Sequence, residues 1–302
     1  MRKRPQEEKL KMTWNTKKLA LLAALLFWLG LAPVHAASQP VVVGSLMGQL
    51  GNQMFQVAAT VSLALDNHAQ PVFPDLAQKK GEGIPLNREK VFFRLKTKLS
   101  KKRTISFVYN EPCYNYQPIP YHPDMRIKGF FQSEKYFVRH RSEILALFHP
   151  HTTIETYLQK KFGNLLRHPC TVSVHMRSYF KEDPEQHLYP FYGRAFIEKA
   201  MALFPQDSLF LVFSNDMALC KKELMGIPRE VVFIEGEPYY HDLYLMSMCQ
   251  HNIIGNSSFS WWAAYLNPHP EKIVVTPPKW VSEAFGLNCQ DVIPEGWIVL
   301  SD

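Results

Sequence analysis

The sequence predicts an α/β fold with a parallel, doubly wound sheet, and three observations support that prediction. Residues 171–275 alternate short apolar strands with single helices, a pattern typical of parallel sheets covered on both faces. Residues 41–65 show the same order of strand, glycine turn and helix. The chain has 302 residues, 46% of them hydrophobic and 20% charged, which suits one large or two modest α/β domains.

The first half of the chain begins with one well-defined unit. The β-branched residues 41–43 predict a strand, and the glycine-containing segment 44–51 predicts a tight turn. A helix follows, and its predicted buried face consists of Met54, Val57, Val61 and Leu65. Further along, residues 71–74 predict a strand, residues 79–121 an irregular segment rich in Pro and Lys, and residues 133–148 a helix.

The second half has the clearer periodicity. Strands are predicted at residues 171–175, 209–213, 231–234, 252–254 and 272–275. Helices are predicted at residues 191–203, 217–224, 241–249 and 259–266. In such sheets ligands bind at the carboxyl ends of the strands, so the residues just after each strand are the candidates for function.

The amino terminus has the anatomy of a signal peptide. A basic stretch is followed by the apolar run 19–31 and by small residues that predict cleavage after Ala36. The run is shorter than the roughly 20 apolar residues of a membrane span, yet an uncleaved anchor stays open, as does a start at Met12. A buried core helix is disfavoured because residues 21–27 have no polar face. We therefore expect export through this segment or association with a membrane.

The net charge of +7 is concentrated in two segments. Residues 1–18 contain seven Lys or Arg against two Glu, and residues 88–103 contain eight against one Glu. The rest of the chain is mildly acidic, so nucleic-acid binding is not indicated. We interpret segment 88–103 as a solvated surface, with contact to anionic lipid or to an acidic acceptor as the alternative.

Neither the cysteines nor the carboxylates suggest a metal. The five cysteines form no C-x-x-C pair and do not stand at ligand spacing from a histidine, so we expect buried or free thiols. The sequence contains no D-x-D triplet, which a metal-bridged diphosphate usually needs. No metal and no further cofactor are therefore expected.

Four polar segments directly follow predicted strands. In the first, Gly48 and Gly51 would let the backbone approach a ligand at a helix N-terminus, whose free N–H groups bind phosphate or sugar oxygens. A plain tight turn is the alternative. Asn52 and Gln53 have low helix propensity in this first turn, which favours a binding role.

The second and third segments contain charged or titratable groups. Arg177 can hold a diphosphate with two hydrogen bonds and stabilise the charge on a departing nucleoside diphosphate. A surface ion pair is the alternative for Arg177, and a core position is the alternative for His175. Asp216 could accept the paired N–H donors of guanine or cap the helix that follows.

The fourth segment is the most informative. Asn256, Ser257 and Ser258 place amide and hydroxyl groups at the start of a helix, where an anion is stabilised. Both serines are candidates for phosphate contact, with helix capping as the alternative. Trp261 and Trp262 are expected in the core.

Together these segments resemble the α-1,2-fucosyltransferases of glycosyltransferase family 11. The matches cover most of residues 41–280. They are Gly48–Gln56 with G-x-L-G-N-Q-M-F-Q, His175–Arg177 with the start of H-x-R-R-G-D-Y, Phe213–Asp216 with F-S-D-D, Leu245–Ile254 with L-M-S-x-C-K-H-N-I-I, and Asn256–Trp262 with N-S-T-F-S-W-W.

The resemblance implies a GT-B fold, in which two Rossmann-like doubly wound domains face a central cleft. Residues 1–36 would be the signal peptide or anchor, 37–165 the acceptor-side domain and 166–302 the GDP-sugar-binding domain. It also implies an inverting, metal-independent transfer of L-fucose from GDP-fucose to a galactoside hydroxyl of an oligosaccharide or glycoconjugate acceptor.

Site residues follow from the same resemblance. Arg177 is expected to hold the β-phosphate, and Asn52 is expected at the reacting centre, so these two are the expected catalytic residues. The expected donor-binding residues are Gly48, Gly51, His175, Asp216, Asn256, Ser257, Ser258 and Phe259. Within that set, the two serines would contact the diphosphate, and the histidine and the aspartate would contact guanine.

The chain departs from the family pattern at two places. Residues 178–181 replace the second Arg and the Gly-Asp-Tyr of the family motif, and Gln49 stands where Arg is frequent. Both differences remove positive charge near the diphosphate. Besides a fucosyltransferase, two interpretations therefore stay open: a secreted, non-catalytic sugar-binding protein of the same fold, and a transferase that uses another GDP-sugar or a protein acceptor.

Overall fold

Two parallel sheets with flanking helices organise the protein. The computed structural model describes residues 39–100, 103–185 and 188–301, so the predicted signal peptide or anchor at residues 1–36 lies outside the described residues. Within those described ranges, no helix combines the length and the apolar character needed to cross a bilayer.

The first sheet is formed by residues 41–128. Its elements are β1 (Val41–Gly44), α1 (Leu50–Asp66), β2 (Gln70–Val72), α2 (Asp75–Gln78), α3 (Ile84–Lys90), β3 (Phe107–Asn110) and β4 (Met125–Lys128). The strands lie in the order β2-β1-β4-β3, and all pairs are parallel. Two helices, α4 (Arg141–Leu147) and α5 (Thr152–Leu166), lead to the second sheet.

The second sheet is a six-stranded parallel sheet. Its elements are β5 (Thr171–Met176), α6 (Arg194–Met201), β6 (Leu209–Ser214), α7 (Met217–Glu223), β7 (Glu230–Phe233), α8 (Tyr239–Met248), β8 (His251–Ile253), α9 (Ser258–Leu266), β9 (Val274–Thr276) and β10 (Ile298–Val299). The strands lie in the order β10-β9-β8-β5-β6-β7. The chain reverses its direction across the sheet between β5 and β8, which makes this pair the topological switch point where α/β proteins bind ligands.

The structure confirms the predicted α/β class with parallel sheets. Every predicted element of the second half is present, with ends shifted by up to three residues. From Pro40 onwards the described chain belongs to one compact unit. The predicted domain boundary between residues 165 and 166 stays a prediction.

Predictions for the first half were less accurate. The segment 79–121, predicted to be irregular, contains α3 and β3. Pro85 lies in the first turn of α3, where its missing N–H has no intrahelical partner to lose, so it does not break the helix. Strand β4 and helix α5 were not predicted.

The helix predicted at residues 133–148 is interrupted. It consists of two 3₁₀ turns, Glu134–Tyr136 and Val138–His140, followed by α4. Phe137 separates the turns with φ −144°, outside the helical region, and its ring stacks on Trp262 with a centroid distance of 5.4 Å. Packing of this aromatic side chain into the core therefore accompanies the break in the helix.

A shared core joins α1 to α9. Trp261 and Trp262 are fully buried, as predicted, and the ring centroid of Phe55 lies 4.5 Å from that of Trp261. The predicted buried face of α1 is confirmed except at Leu65, which is 38% exposed because it lies in the last turn, at the edge of the core. This contact holds the N-termini of α1 and α9 side by side.

Candidate active site

A cavity of about 860 Å³, here called the cleft, lies where the carboxyl ends of the two sheets meet. Its walls are formed by segments that follow each of the strands β1 to β4 of the first sheet and β5 to β9 of the second. The volume falls in the range of ligand and cofactor sites, roughly 300–1,000 Å³. Of the four polar segments identified in the sequence, the first contributes Gly51 and Asn52 to this lining, and the second and fourth contribute all of their candidate residues.

The two glycines of the first segment serve packing and turn geometry. Gly48 has φ 72°, in the left-handed region that glycine tolerates, and its N–H donates to Glu82 Oε1 at 2.9 Å. A Cβ atom on Gly51 would lie 2.5 Å from the backbone N of Phe259 and 2.5 Å from the carbonyl carbon of Ser258. Gly51 therefore allows α1 and α9 to touch, and a donor contact at either glycine stays a prediction.

Asn52 connects the two halves of the cleft. It lies in the first turn of α1, and its side-chain Oδ1 accepts hydrogen bonds from Gln132 Nε2 and from Ser258 Oγ, each at 2.8 Å. Gln53 has a structural role instead, because its buried amide donates to the carbonyl oxygens of Gly48 and Glu82. Of the two amides noted in the sequence, only Asn52 faces the cleft.

His175 and Arg177 line the cleft at the end of β5. Burial, together with the nearby charge of Arg177, lowers the pKa of His175 to about 3, so the imidazole is neutral. Its Nδ1 is buried without a hydrogen-bond partner among the described residues. A neutral imidazole of this kind can accept a hydrogen bond from a ligand or donate one to it.

Arg177 is the one Lys or Arg among the described residues that line the cleft. Its Nη2 lies 3.0 Å from Glu182 Oε1, and its guanidinium lies 4.7 Å from the centre of the Tyr179 ring. The lining also contains three carboxylates, Glu111, Glu182 and Asp242. An anionic ligand must therefore compete with Glu182 for the guanidinium.

For the GDP that the family resemblance leads us to expect as ligand, this competition predicts that Glu182→Gln strengthens binding. Removing a partly exposed ion-pair partner releases about 1 kcal/mol, which is roughly a fivefold increase in affinity. Isothermal titration with GDP measures the change. Glu198→Gln removes the same charge from an ion pair with Arg194 on α6 and serves as the control; equal affinities in the two variants would contradict the competition.

Asp216 lies outside the cleft lining. Its carboxylate accepts a hydrogen bond from the backbone N–H of Leu219 at 3.1 Å and caps α7, which is the alternative that the sequence left open. Ser214 and Asn215 line the cleft in its place. The structure thus shows the capping alternative for Asp216, and its expected contact with guanine stays a prediction.

The segment after β8 forms the floor of the cleft. Asn256 donates to the carbonyl oxygens of Pro190 and Trp280, both at 3.1 Å, so its amide holds two loops together. Ser257 occupies the N-cap position of α9 without making a side-chain capping bond, and Ser258 donates to Asn52. Phe259 also lines the cleft. The capping alternative for the serines is therefore not what the structure shows.

Among the cleft residues that the sequence did not single out, two are candidates for a functional role. Gln132, which is 5% exposed, follows β4 and bonds to Asn52, but β4 itself was not predicted. Asp242 lies in the first turn of α8, and its Oδ1 is buried without a partner among the described residues. Burial, with a smaller contribution from Glu237, raises the pKa of Asp242 to about 7. A lone acidic residue directly before the apolar segment 243–248 was the available signal.

The described residues offer no cluster of three or more His, Cys, Asp or Glu side chains suited to a metal ion. All five cysteines are free thiols. The chemistry available in the cleft is thus one guanidinium, a neutral imidazole, hydroxyl and amide groups, the thiol of Cys113 and three carboxylates.

Comparison with known sequences decides the family. The sequence profile described as glycosyl transferase family 11 matches residues 15–301. The chain belongs to glycosyl transferase family 11. The resemblance inferred from the motifs is therefore confirmed, and the chain is a glycosyltransferase of this family.

Relatives and solved structures agree with the family. The chain is 29% identical over 293 residues to an alpha-1,2-colitosyltransferase of Escherichia coli, covering 85% of this chain and 98% of that protein. It is 29% identical over 256 residues to galactoside alpha-(1,2)-fucosyltransferase 2 of Oryctolagus cuniculus, covering 78% of this chain and 69% of that protein.

The fold matches that of fucosyltransferase NodZ from Bradyrhizobium, with a TM-score of 0.52 and 12% identity over 77% of this chain and 94% of NodZ. NodZ co-crystallised with GDP gives the same TM-score. At this level of identity the likeness concerns the fold alone, and it confirms the GT-B architecture of two parallel sheets.

Proposed function

We propose that this family 11 glycosyltransferase transfers L-fucose from GDP-fucose to a galactoside hydroxyl, with inversion and without a metal. The observation that carries the proposal is the meeting of Arg177 with Ser257 and Ser258 at the switch point of the second sheet, beside Asn52 from the first. A guanidinium and the Ser257 hydroxyl at a helix N-terminus suit a diphosphate leaving group, whereas Ser258 directs its one O–H donor at Asn52 Oδ1. The names of the relatives support fucose or a related deoxy sugar.

The order of the strands suggests how the nucleotide lies. Strands β8, β5, β6 and β7 are neighbours in that order, and three spacings between adjacent strands span about 14 Å. A diphosphate at the ends of β8 and β5 therefore places the ribose over Ser214 and Asn215 and the base near Asp242, which follows β7. A carboxylate matches the paired N1–H and N2–H donors of guanine, and we assign this contact to Asp242 in place of Asp216.

The nucleotide assignment predicts that Asp242→Asn weakens GDP binding by about 2 kcal/mol, or roughly thirtyfold, because a hydrogen bond to a charged group is lost. Inosine diphosphate lacks the N2 amine. The affinities of the variant and the wild type for it should therefore differ less than their affinities for GDP. Asp216→Ala is the control, since losing the cap lowers stability by about 1 kcal/mol and leaves GDP affinity unchanged. Unchanged GDP affinity in Asp242→Asn together with weakened GDP affinity in Asp216→Ala would restore Asp216 as the guanine contact.

The same assignment gives a pH dependence. Asp242 has a pKa of about 7, so it holds a proton below that pH, whereas the guanine donors require the ionised carboxylate. Binding releases the proton, and affinity falls by roughly tenfold per pH unit on the acid side. Titrations of the Asp242→Asn variant should lack this step and retain only the titration of the nucleotide phosphate.

A GDP-release assay tests the proposed reaction. We expect titration to show GDP binding, and we expect GDP release from GDP-fucose to depend on added β-galactosides and to survive excess EDTA. GDP binding without release on any acceptor would favour the non-catalytic sugar-binding protein. Release with GDP-colitose but not with GDP-fucose would favour a transferase for another GDP-sugar, as the Escherichia coli relative suggests. Activity that is lost in EDTA and restored by Mg²⁺ or Mn²⁺ would contradict metal independence.

A further inference from the structure

A chain of hydrogen bonds runs from the wall of the cleft to Asn52. Trp280 Nε1 donates to Gln132 Oε1 at 3.1 Å, and Tyr114 donates its hydroxyl to the same oxygen at 2.6 Å. Gln132 Nε2 then donates to Asn52 Oδ1 at 2.8 Å, and Ser258 Oγ donates to that oxygen at 2.8 Å. Residues from both sheets thus converge on one side-chain amide.

The donors in this chain determine which way each amide points. The indole N–H of Trp280 can only donate, so the atom of Gln132 that faces it must be the oxygen. The NH₂ of Gln132 then faces Asn52, whose facing atom must in turn be its oxygen. The orientation of the Gln132 and Asn52 amides therefore follows from the Trp280 indole, because its N–H can only donate a hydrogen bond.

This orientation leaves the side-chain NH₂ of Asn52 without a partner among the described residues. Asn52 Oδ1 accepts both hydrogen bonds, and its Nδ2 makes no hydrogen bond within the part of the chain that the structure describes. Asn52 lines the cleft beside Ser258. Its NH₂ is therefore an available donor for an oxygen of a bound ligand.

We propose that Gln132 is a positioning residue that orients the Asn52 amide so that its NH₂ donates to a substrate oxygen at the reacting centre. The proposal rests on the proposed glycosyl transfer. Gln132 contributes through Asn52, and Asn52 contributes one hydrogen bond that strengthens as charge develops on the oxygen it contacts.

The loop that carries Gln132 is held in place by Glu111. The carboxylate of Glu111 accepts from the backbone N–H groups of Phe130 and Phe131, at distances of 2.6 to 3.1 Å. Phe131 has φ 51°, in the left-handed region that bulky residues rarely adopt. A residue kept in that conformation next to a cleft indicates that the direction of Gln132 is imposed by its surroundings.

The variant Gln132→Glu separates positioning from packing. Glutamate has nearly the same shape and keeps the two acceptor contacts to Trp280 and Tyr114, but it cannot donate to Asn52. The Asn52 amide is then expected to rotate so that its NH₂ donates to the carboxylate. This rotation turns Asn52 Oδ1, an acceptor, toward the substrate. We expect kcat to fall about tenfold, the loss expected for one hydrogen bond in the transition state, with little change in GDP affinity.

A double-mutant cycle with Asn52→Ala tests the mechanism. If Gln132 acts through Asn52, Gln132→Glu lowers kcat in the wild-type background and has no further effect in the Asn52→Ala background. A full additional tenfold loss there would overturn the proposal and point to direct repulsion of the donor. Gln159→Glu adds the same charge on an exposed position of α5 and should leave kcat unchanged.

A measurement without turnover keeps the test independent of the proposed function. With asparagine-selective ¹⁵N labelling, the side-chain NH₂ signal of Asn52 is identified by its loss in Asn52→Ala. In the wild type this NH₂ should exchange rapidly with solvent, and in Gln132→Glu exchange should slow because the carboxylate accepts from it. Equal exchange in both proteins would overturn the positioning role, whereas absence of sugar transfer by the wild type would contradict only the proposed function.

Discussion

Arg177→Ala is expected to lower kcat about a hundredfold while leaving the fold intact. Losing a charge-assisted contact to a departing diphosphate removes about 3 kcal/mol of transition-state stabilisation. Stability should change little, because Arg177 is partly exposed and its ion-pair partner Glu182 is more than half exposed. Arg177→Lys should recover only part of the rate, since an ammonium cannot bridge two oxygens.

Initial rates of GDP release, set beside thermal melts, measure both effects. Arg139→Ala removes a surface ion pair with Asp66, outside the cleft, and serves as the matched control. A folded Arg177→Ala protein with the kcat of the wild type would remove Arg177 from the reaction. It would leave the ion pair with Glu182 as the residue's whole role.

Gly51→Ala is expected to destabilise the protein by about 3 kcal/mol and to abolish most of the transfer activity. The added methyl group would lie 2.5 Å from backbone atoms of Ser258 and Phe259, which cannot move aside as a flexible side chain can. This steric clash can be relieved only if the N-termini of α1 and α9 move apart. That movement also lengthens the hydrogen bond between Asn52 and Ser258, so stability and activity should fall together.

Gly81→Ala provides the comparison for this substitution. No heavy atom lies within 4 Å of a Cβ at Gly81, so the change in stability should be within about 0.5 kcal/mol. Thermal or urea unfolding of the two variants measures the difference. Similar midpoints for both would show that the contact between α1 and α9 yields easily, and that Gly51 has only a turn role.

The sequence predictions were accurate where local residue patterns determine the structure, and less accurate where contacts between residues distant in sequence determine it. Between residues 171 and 276 the strands are short apolar runs and the helices have regular periodicity, so local pattern was sufficient. In the first half, β3 is half-exposed, α3 has a proline in its first turn, and a helix is interrupted at Phe137, whose ring stacks on Trp262. These features depend on neighbours distant in sequence.

The sequence by itself determined the α/β class and the family, and eight of the ten site residues expected from it line the cleft, because strand ends, glycine turns and motif residues are local in the chain. The tertiary structure alone decided how they combine. Asn52 and Ser258 are 206 positions apart, yet they share a hydrogen bond. Asp216 became a helix cap, and Asp242 and Gln132 entered the cleft, because direction and burial depend on packing between α1, α8 and α9 and the loops that follow β4 and β9. A pattern of residue types contains no information on those distances.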